Sequence, residues 1–226
     1  MKKLGYLIIL ALFSLILTGC TKEGEIIDNS NSSNRANMST QIQKLTADTI
    51  CAEQTGQKAC PAEGEETVIL ETSYGNITIK LFGDRAPKTV ANFKKLVESG
   101  FYNNLIFHRI IEGFMIQGGD PTGDGTGGPG YTVEAEISPD LSHIAGAVAT
   151  ARQADTVNPT KASSGSQFYI VHNDTGALGL DGDYTIFGQV IAGQNVVNAI
   201  AIAQTDYSDK PLQDIVIEKA YLDTYK

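Results

Sequence analysis

The sequence is poor in the residues that form metal and redox centres. Among its 226 residues there are no Trp, three Cys and three His. The histidines His108, His143 and His172 stand far apart, without an i, i+4 pair and without a neighbouring Cys, so their spacing argues against zinc. Redox-active cysteines usually occur as Cys-x-x-Cys, a pattern that the sequence lacks. The composition therefore indicates a function without a metal ion or thiol chemistry.

Positive charge is also scarce. The chain has 17 Lys and Arg against 26 Asp and Glu, a net charge of −9, and its pI is about 4.8. A nucleic-acid surface needs clustered Lys and Arg, so we expect no nucleic-acid partner. The shares of 42% hydrophobic and 19% charged residues are typical of a globular domain and exclude a chain that is disordered throughout.

One long apolar run, residues 4–17, follows two lysines at the N-terminus. This order is typical of an export signal, and the run is shorter than the ~20 residues that span a bilayer. Residues 17–20, Leu-Thr-Gly-Cys, resemble the lipobox of bacterial lipoproteins. The resemblance implies that residues 1–19 are a signal peptide and that Cys20 is acylated. We therefore expect an extracytoplasmic protein of the bacterial cell envelope, anchored in the membrane through Cys20; the alternative is an ordinary transmembrane anchor.

Residues 20–66 are expected to form a flexible tether after the lipidated Cys. Residues 28–37 are mostly Asn and Ser without apolar periodicity, a composition that buries too little surface to offset the cost of ordering the chain. Cys51 and Cys60 lie near the end of the tether. In an extracytoplasmic protein such a pair favours a disulfide, with two free thiols as the alternative.

The folded domain is expected over residues 67–226. Runs of β-branched residues on either side of a Ser-Tyr-Gly turn predict a hairpin. Apolar residues at helical spacing predict helices over 87–99 and 194–203. Five further strands are predicted, over 106–111, 146–151, 167–172, 185–191 and 214–222. Many strands, glycine-rich loops and two helices together indicate a mainly β protein, a closed β-barrel with helical caps.

A glycine-rich segment, residues 125–130, matches the dinucleotide pattern Gly-x-Gly-x-x-Gly. A nucleotide site is disfavoured because Pro129 interrupts the segment, Asp120 and Asp124 repel anions, and no helix pattern follows. A calcium loop that starts at Asp120 would need its closing carboxylate at Tyr131, which cannot serve. The Gly-x-Ser-x-Gly elbow of serine hydrolases is missing from the sequence.

Residues 102–120 place one cation, Arg109, in a mostly apolar stretch. Taken alone, this pattern favours a surface Arg whose stem lies along a strand. However, Phe-His-Arg, Gly-Phe-Met and Gln-Gly-Gly-Asp follow one another in the order and spacing of cyclophilins, and the stretch closely resembles that family of peptidyl-prolyl isomerases. The resemblance extends over residues 67–226 and continues in 86–93, 123–131, 165–168, 180–182 and 187–188.

The resemblance implies a closed eight-stranded antiparallel β-barrel capped by two α-helices, which isomerises the peptide bond before proline. Arg109 matches the catalytic arginine of the family. Ten positions match substrate-binding residues: His108, Phe114, Met115, Gln117, Ala151, Arg152, Gln167, Phe168, Leu180 and Tyr184. The implied substrates are proline-containing polypeptides, bound by a monomer without a cofactor. Tyr169 stands where a Phe is frequent, and its hydroxyl needs a partner.

An arginine beside an apolar slot suits this chemistry. Amide rotation has a barrier of ~18–20 kcal/mol because the nitrogen lone pair is conjugated with the carbonyl. In the twisted state the lone pair is free to accept a hydrogen bond, and a guanidinium is a permanently charged donor. Binding the twisted amide more tightly than the planar one accelerates the rotation.

Three functional classes remain open on the sequence alone. The favoured class is a membrane-anchored isomerase that assists the folding of exported proteins. The second is a proline-peptide-binding module or holdase chaperone at the cell surface, which would use the same groove without turnover. The third is a structural or adhesive surface domain, whose peptide binding would not depend on proline.

Overall fold

The structure is a computed structural model that describes residues 56–177 and 179–226. The predicted signal peptide, Cys20 and Cys51 lie outside the described residues. Within the described part of the chain, every helix is too short or too polar to cross a membrane.

The predicted hairpin is formed by β1 (Glu66–Thr72) and β2 (Gly75–Leu81), paired antiparallel. In β2 the apolar residues alternate with polar ones, and in both strands every second residue, Val68 and Leu70 or Ile77 and Ile79, is fully buried in the core. Gly75 has a positive φ of +125°, and the hydroxyl of Thr72 donates a 2.7 Å hydrogen bond to its carbonyl. The turn and the alternation together fix the register of the hairpin.

Both predicted helices are present, α1 at Pro87–Glu98 and α2 at Gln194–Ala201. Pro87 occupies the first turn of α1, where its missing N–H needs no partner. Gly100, with φ +71°, follows the end of that helix. Each helix buries one apolar stripe and leaves its other face to solvent.

Among the described residues, seven of the nine remaining strands have only two to four residues, and most of the nine belong to one antiparallel sheet. They are β3 (Leu105–Ile106), β4 (Arg109–Ile111), β5 (Met115–Gly118), β6 (Thr132–Val133), β7 (Ala147–Thr150), β8 (Ser163–Ser164), β9 (Phe168–Val171), β10 (Ile186–Ala192) and β11 (Val216–Thr224). The large sheet has nine strands in the order β3-β11-β1-β2-β10-β7-β9-β5-β4, and β6 pairs only with β8.

The sheet differs from the closed eight-stranded barrel that the sequence predicts. It has nine strands, and in the described residues no ladder joins its end strands, β3 and β4. Only Phe107 and His108 separate these two strands in the chain, so the two ends of the sheet must lie close together. The sheet is therefore curled around its core but open at this seam.

Apolar side chains pack on both faces of the curled sheet. The inner cluster fills the inside and includes Phe93, Phe107, Ile116, Phe168 and Phe187. The outer cluster covers the outer face of β5, β9 and β7 and includes Met115, Ala149, Tyr169, Val171 and Ile186. Several of the predicted site residues belong to the outer cluster or pack against it.

The end of the predicted tether packs against the sheet. Residues Gly56–Lys58 form a turn of 3-10 helix, and the amide of Gln57 bonds the carbonyl of Ser142 at 2.9 Å and the side chain of Gln189 at 3.1 Å. Cys60 is half-buried and forms no disulfide with another described residue. The Cys51–Cys60 pairing stays a prediction, because Cys51 lies outside those residues.

Candidate active site

Arg109 lies at the start of a row of residues that crosses four strands. It is opposite Gln117, Gln117 is opposite Tyr169, and Tyr169 is opposite Ala149. Directly opposed residues in antiparallel strands point to the same face of a sheet. Met115, two residues before Gln117, shares this face. The sheet register therefore places the arginine beside the outer cluster, on the outside of the sheet.

The outer cluster forms the floor and walls of an apolar site next to Arg109. Met115 is buried, with 2% of its surface exposed, and the half-buried Phe114, Leu180 and Tyr184 pack against the cluster. The rings of Tyr169 and Tyr184 meet edge to face at 5.9 Å. Four of the ten predicted substrate-binding residues, Phe114, Met115, Leu180 and Tyr184, are thus brought together.

Phe168 does not belong to this wall, although the sequence analysis assigned it there. Its ring is 1% exposed within the inner cluster and makes edge contacts with Phe93 and Tyr102 at 5.6 Å. Adjacent strand residues point to opposite faces, so the next residue, Tyr169, occupies the outer face instead. The predicted residue, Phe168, is one position too early in the strand, and a shift of one position moves a side chain to the other face of the sheet.

The two predicted glutamines form a hydrogen-bonded chain. The amide nitrogen of Gln117 donates to Oε1 of Gln167 at 3.0 Å. The amide nitrogen of Gln167 donates in turn to the carbonyls of Gly125 and Gly127, at 3.0 and 2.8 Å. Gln167 therefore holds the glycine-rich loop, while Gln117 lies directly opposite Arg109 on β5.

The glycine-rich loop is organised by Asp120, which is 1% exposed. Its carboxylate accepts hydrogen bonds from the backbone of Thr122, Asp124 and Gly125. Burial raises the pKa of Asp120, but hydrogen bonds from the Thr122 hydroxyl and from the backbone of Thr122, Gly127 and Gly125 outweigh it and lower the pKa. Because the carboxylate is already saturated by its own loop, the segment is better explained as a structural turn than as an anion or calcium site.

His108 lies beneath this loop. Its ring is largely buried, and neither nitrogen has a hydrogen-bond partner among the described residues. Burial is the main effect on the pKa of His108 and lowers it, more than the nearby carboxylates of Asp120 and Asp124 raise it. The ring is therefore mostly neutral at pH 7, and its Nε2 lies close to the loop, since a Cβ added at Gly125 would be 3.7 Å away.

Arg152 is committed to contacts within the protein. Its guanidinium lies over the ring of Tyr184, 4.5 Å from the centroid, Nε donates to the carbonyl of Asp183 at 2.8 Å, and Nη1 pairs with Asp155. Only 6% of the side chain is exposed. Because these contacts all lie within the protein, Arg152 supports Tyr184 and does not extend toward a ligand.

Ala151 directly follows the last residue of β7. Its N–H donates to the carbonyl of Gln167 at 2.9 Å, and its carbonyl accepts from Ser164 at 2.8 Å. The backbone N–H of Ala151 is therefore already used. Its side chain, two residues beyond Ala149, stays on the outer face.

Sequence reasoning missed a buried chain of hydrogen bonds under the apolar wall. His143, 4% exposed, contacts Asp181 through Nδ1 at 2.6 Å and the hydroxyl of Tyr169 through Nε2 at 2.9 Å. The one available signal was the extra hydroxyl of Tyr169. A hydroxyl does not identify its partner, however, and the three residues are distant in the chain.

Comparisons with known proteins agree on one family. The model described as cyclophilin type peptidyl-prolyl cis-trans isomerase/CLD matches residues 67–222. Peptidyl-prolyl cis-trans isomerase-like 1 of Homo sapiens is 45% identical over 158 residues, 68% of this chain and 90% of that protein. The protein of that name from Aspergillus fumigatus is 42% identical over 157 residues, 68% of this chain and 92% of that protein.

Solved structures show the same similarity. A cyclophilin type peptidyl-prolyl cis-trans isomerase of Cryptosporidium parvum has a TM-score of 0.65 and 36% identity, covering 71% of this chain and 99% of that one. A second structure of the Cryptosporidium protein, in the presence of the dipeptide Ala-Pro, has a TM-score of 0.64 and 36% identity and covers 70% of this chain and 99% of that one.

Proposed function

The chain belongs to the cyclophilin-type peptidyl-prolyl cis-trans isomerases, and from this we propose that it isomerises X-Pro bonds of exported proteins at a bacterial membrane, with Arg109 as its catalytic residue. The observation that carries the proposal is the row from Arg109 through Gln117 to Tyr169. This row sets the guanidinium of Arg109 beside the outer cluster.

Arg109 acts on the amide nitrogen of the bond before proline. In the planar amide the nitrogen lone pair is delocalised, whereas in the twisted amide it is localised and accepts a hydrogen bond. The guanidinium stays protonated at any working pH and donates to this lone pair. Because the interaction forms only in the twisted state, it lowers the barrier without tightening the binding of either planar isomer. No bond of the substrate is broken and no proton needs to be transferred.

The outer cluster binds the proline ring. Phe114, Met115, Tyr169 and Leu180 offer apolar surface around one place on the sheet, and excluding water there strengthens the hydrogen bond from Arg109. Because the outer cluster holds the proline ring still while the preceding carbonyl turns, the motion is confined to rotation about the one amide bond before proline. Gln117, opposite Arg109, is placed to contact the backbone of the peptide.

The proposed location comes from the sequence of the first twenty residues. The apolar run and Cys20 support export and acylation, and more than one acyl chain on Cys20 would anchor the protein stably. Exported chains refold outside the cytoplasm, where uncatalysed X-Pro isomerisation takes tens of seconds or longer. An anchored isomerase would meet these chains as they emerge from the membrane.

Two experiments test the proposal. Radiolabelled palmitate should label the full chain expressed in a bacterium, and Cys20→Ser should abolish labelling and release the protein from membranes; labelling that survives Cys20→Ser would refute the anchor. For the site, Arg109→Gln should lose turnover on an X-Pro peptide yet bind it with unchanged affinity. Equal protection of an aggregating client by both forms would instead support the binding module or holdase.

A further inference from the structure

The connection between α2 and β11 reaches back to the active site. It is closed by a bridge between Thr205 and Pro211 and by a hydrogen bond from the N–H of Asp206 to the carbonyl of Lys210 at 2.8 Å. The carboxylate of Asp206 also accepts the N–H groups of Ser208, at 2.7 Å, and Lys210, at 3.0 Å. This connection is therefore a tight loop with a defined shape, and Asp209 lies at its tip.

Asp209 has a backbone conformation that is uncommon for a residue with a side chain. Its φ is +64°, in the left-handed region that Asp and Asn enter more readily than most residues. Its carbonyl accepts a 2.8 Å hydrogen bond from the N–H of Ile110, the residue that follows Arg109. The strained tip is thus joined to β4 at the site, and such strain is often found where a function requires it.

The carboxylate of Asp209 is directed at the arginine. Its Oδ2 lies 3.4 Å from Nε of Arg109, and the two side chains are 42% and 44% exposed. A contact at Nε leaves the two terminal nitrogens, Nη1 and Nη2, for another acceptor. The pair is also open enough for a peptide to approach.

We propose that Asp209 is a positioning residue for the isomerase reaction: it holds Arg109 by Nε so that the terminal nitrogens face the amide of the substrate. This inference rests on the proposed catalytic role of Arg109. A free arginine side chain samples many rotamers, so holding it in one before the substrate binds reduces the reorganisation needed in the twisted state. Asp209 itself touches neither the proline ring nor the reacting nitrogen.

The test compares Asp209→Asn with Asp214→Asn, an exposed acid of the same connection, by measuring kcat and KM of the full chain on one X-Pro peptide. Asn tolerates positive φ and keeps the size of the side chain, so the loop should persist. We expect kcat to fall by about fivefold with KM unchanged, the size of effect that an ion pair of this exposure can carry. Asp214→Asn should retain the wild-type kcat. Asp209→Gly, which also permits positive φ, provides a second variant if the first does not fold.

The decisive comparison repeats Asp209→Asn in an Arg109→Ala background. If Asp209 acts through the arginine, it should have no further effect there. An equal loss in both backgrounds, a change in KM alone, or a wild-type kcat would overturn the inference. These outcomes leave the proposed function intact as long as Arg109→Ala has lost most of its turnover but keeps a rate that can be measured. If Arg109→Ala is fully active, both fail.

Discussion

The hydroxyl of Tyr169 lies 2.9 Å from Nε2 of His143, beneath the wall of the active site. The other ring nitrogen of His143 contacts the carboxylate of Asp181 at 2.6 Å. A carboxylate only accepts, so Nδ1 carries the proton, Nε2 of the neutral ring accepts, and the tyrosine donates. One tautomer of one buried histidine therefore orients the ring of Tyr169 in the outer cluster.

We predict that Tyr169→Phe lowers the free energy of unfolding by about 1–3 kcal/mol, because it leaves Nε2 of the buried His143 without a donor. Urea denaturation monitored by circular dichroism measures this. Tyr207→Phe is the matched control, since Tyr207 is fully exposed and its hydroxyl can bond water. An equal and small effect of the two substitutions would show that the hydrogen bond to His143 contributes no stability.

Stability should fall as the pH drops below about 6.5. Burial is the main influence on the pKa of both His143 and His108 and lowers it from 6.5 in the folded protein. Between the folded and unfolded pKa values the unfolded state binds more protons, so the free energy of unfolding rises with pH across that window. Above pH 6.5 the two neutral histidines make their full contribution to stability. Urea denaturation between pH 5 and 8 measures the slope, and His143→Gln should reduce it. An unchanged slope in this variant would refute the assignment for His143.

The titration of Asp124 and Asp181 should not overlap with the pH range in which the two histidines titrate. The pKa of Asp124 is lowered to about 2, chiefly by a hydrogen bond from the side chain of Thr126. The pKa of Asp181 is also lowered, because hydrogen bonds from His143 outweigh its burial, which acts in the other direction. Stability contributed by these two groups is lost only as the pH falls through their depressed values, well below the histidine range.

Gly119→Ala should destabilise the protein more than Gly130→Ala. Both glycines have positive φ, +83° and +89°, so an alanine is strained at either position. A Cβ at Gly119 would also lie 2.3 Å from the carbonyl oxygen of Ser166, whereas a Cβ at Gly130 has nothing within 4 Å. We expect Gly119→Ala to cost about 1–3 kcal/mol more in unfolding free energy. Equal costs would mean that backbone strain alone, and not this close contact, requires the glycine.

Local patterns were sufficient to predict the hairpin and both helices, and the resemblance of the motifs to cyclophilins was sufficient to predict the family and the isomerase activity. The hairpin follows from alternation and a glycine turn, and the helices from apolar spacing with Pro87 at the start of the first. The sequence did not reveal that the sheet stays open between β3 and β4, since hydrogen bonding between strands depends on their arrangement in space and not on local pattern.

Site residues were predictable only as far as the face of each strand was known. Met115 lies in the outer cluster, whereas choosing between Phe168 and Tyr169 needed the register of β9. The roles of Arg152 and Asp209 depend on contacts with distant parts of the chain: Arg152 bonds Asp183, and Asp209 meets a strand 100 residues earlier. Spacing in the sequence carries no information on such contacts.

The central claim is tested most directly by the turnover of Arg109→Ala on an X-Pro peptide, compared with Arg85→Ala. The two arginines are equally exposed, at 44%, and each pairs with a carboxylate, but Arg85 lies outside the site. With both variants shown to be folded by circular dichroism, we expect Arg109→Ala to lose about a hundredfold or more in kcat/KM and Arg85→Ala to match the wild type. A folded Arg109→Ala with wild-type turnover would contradict the account.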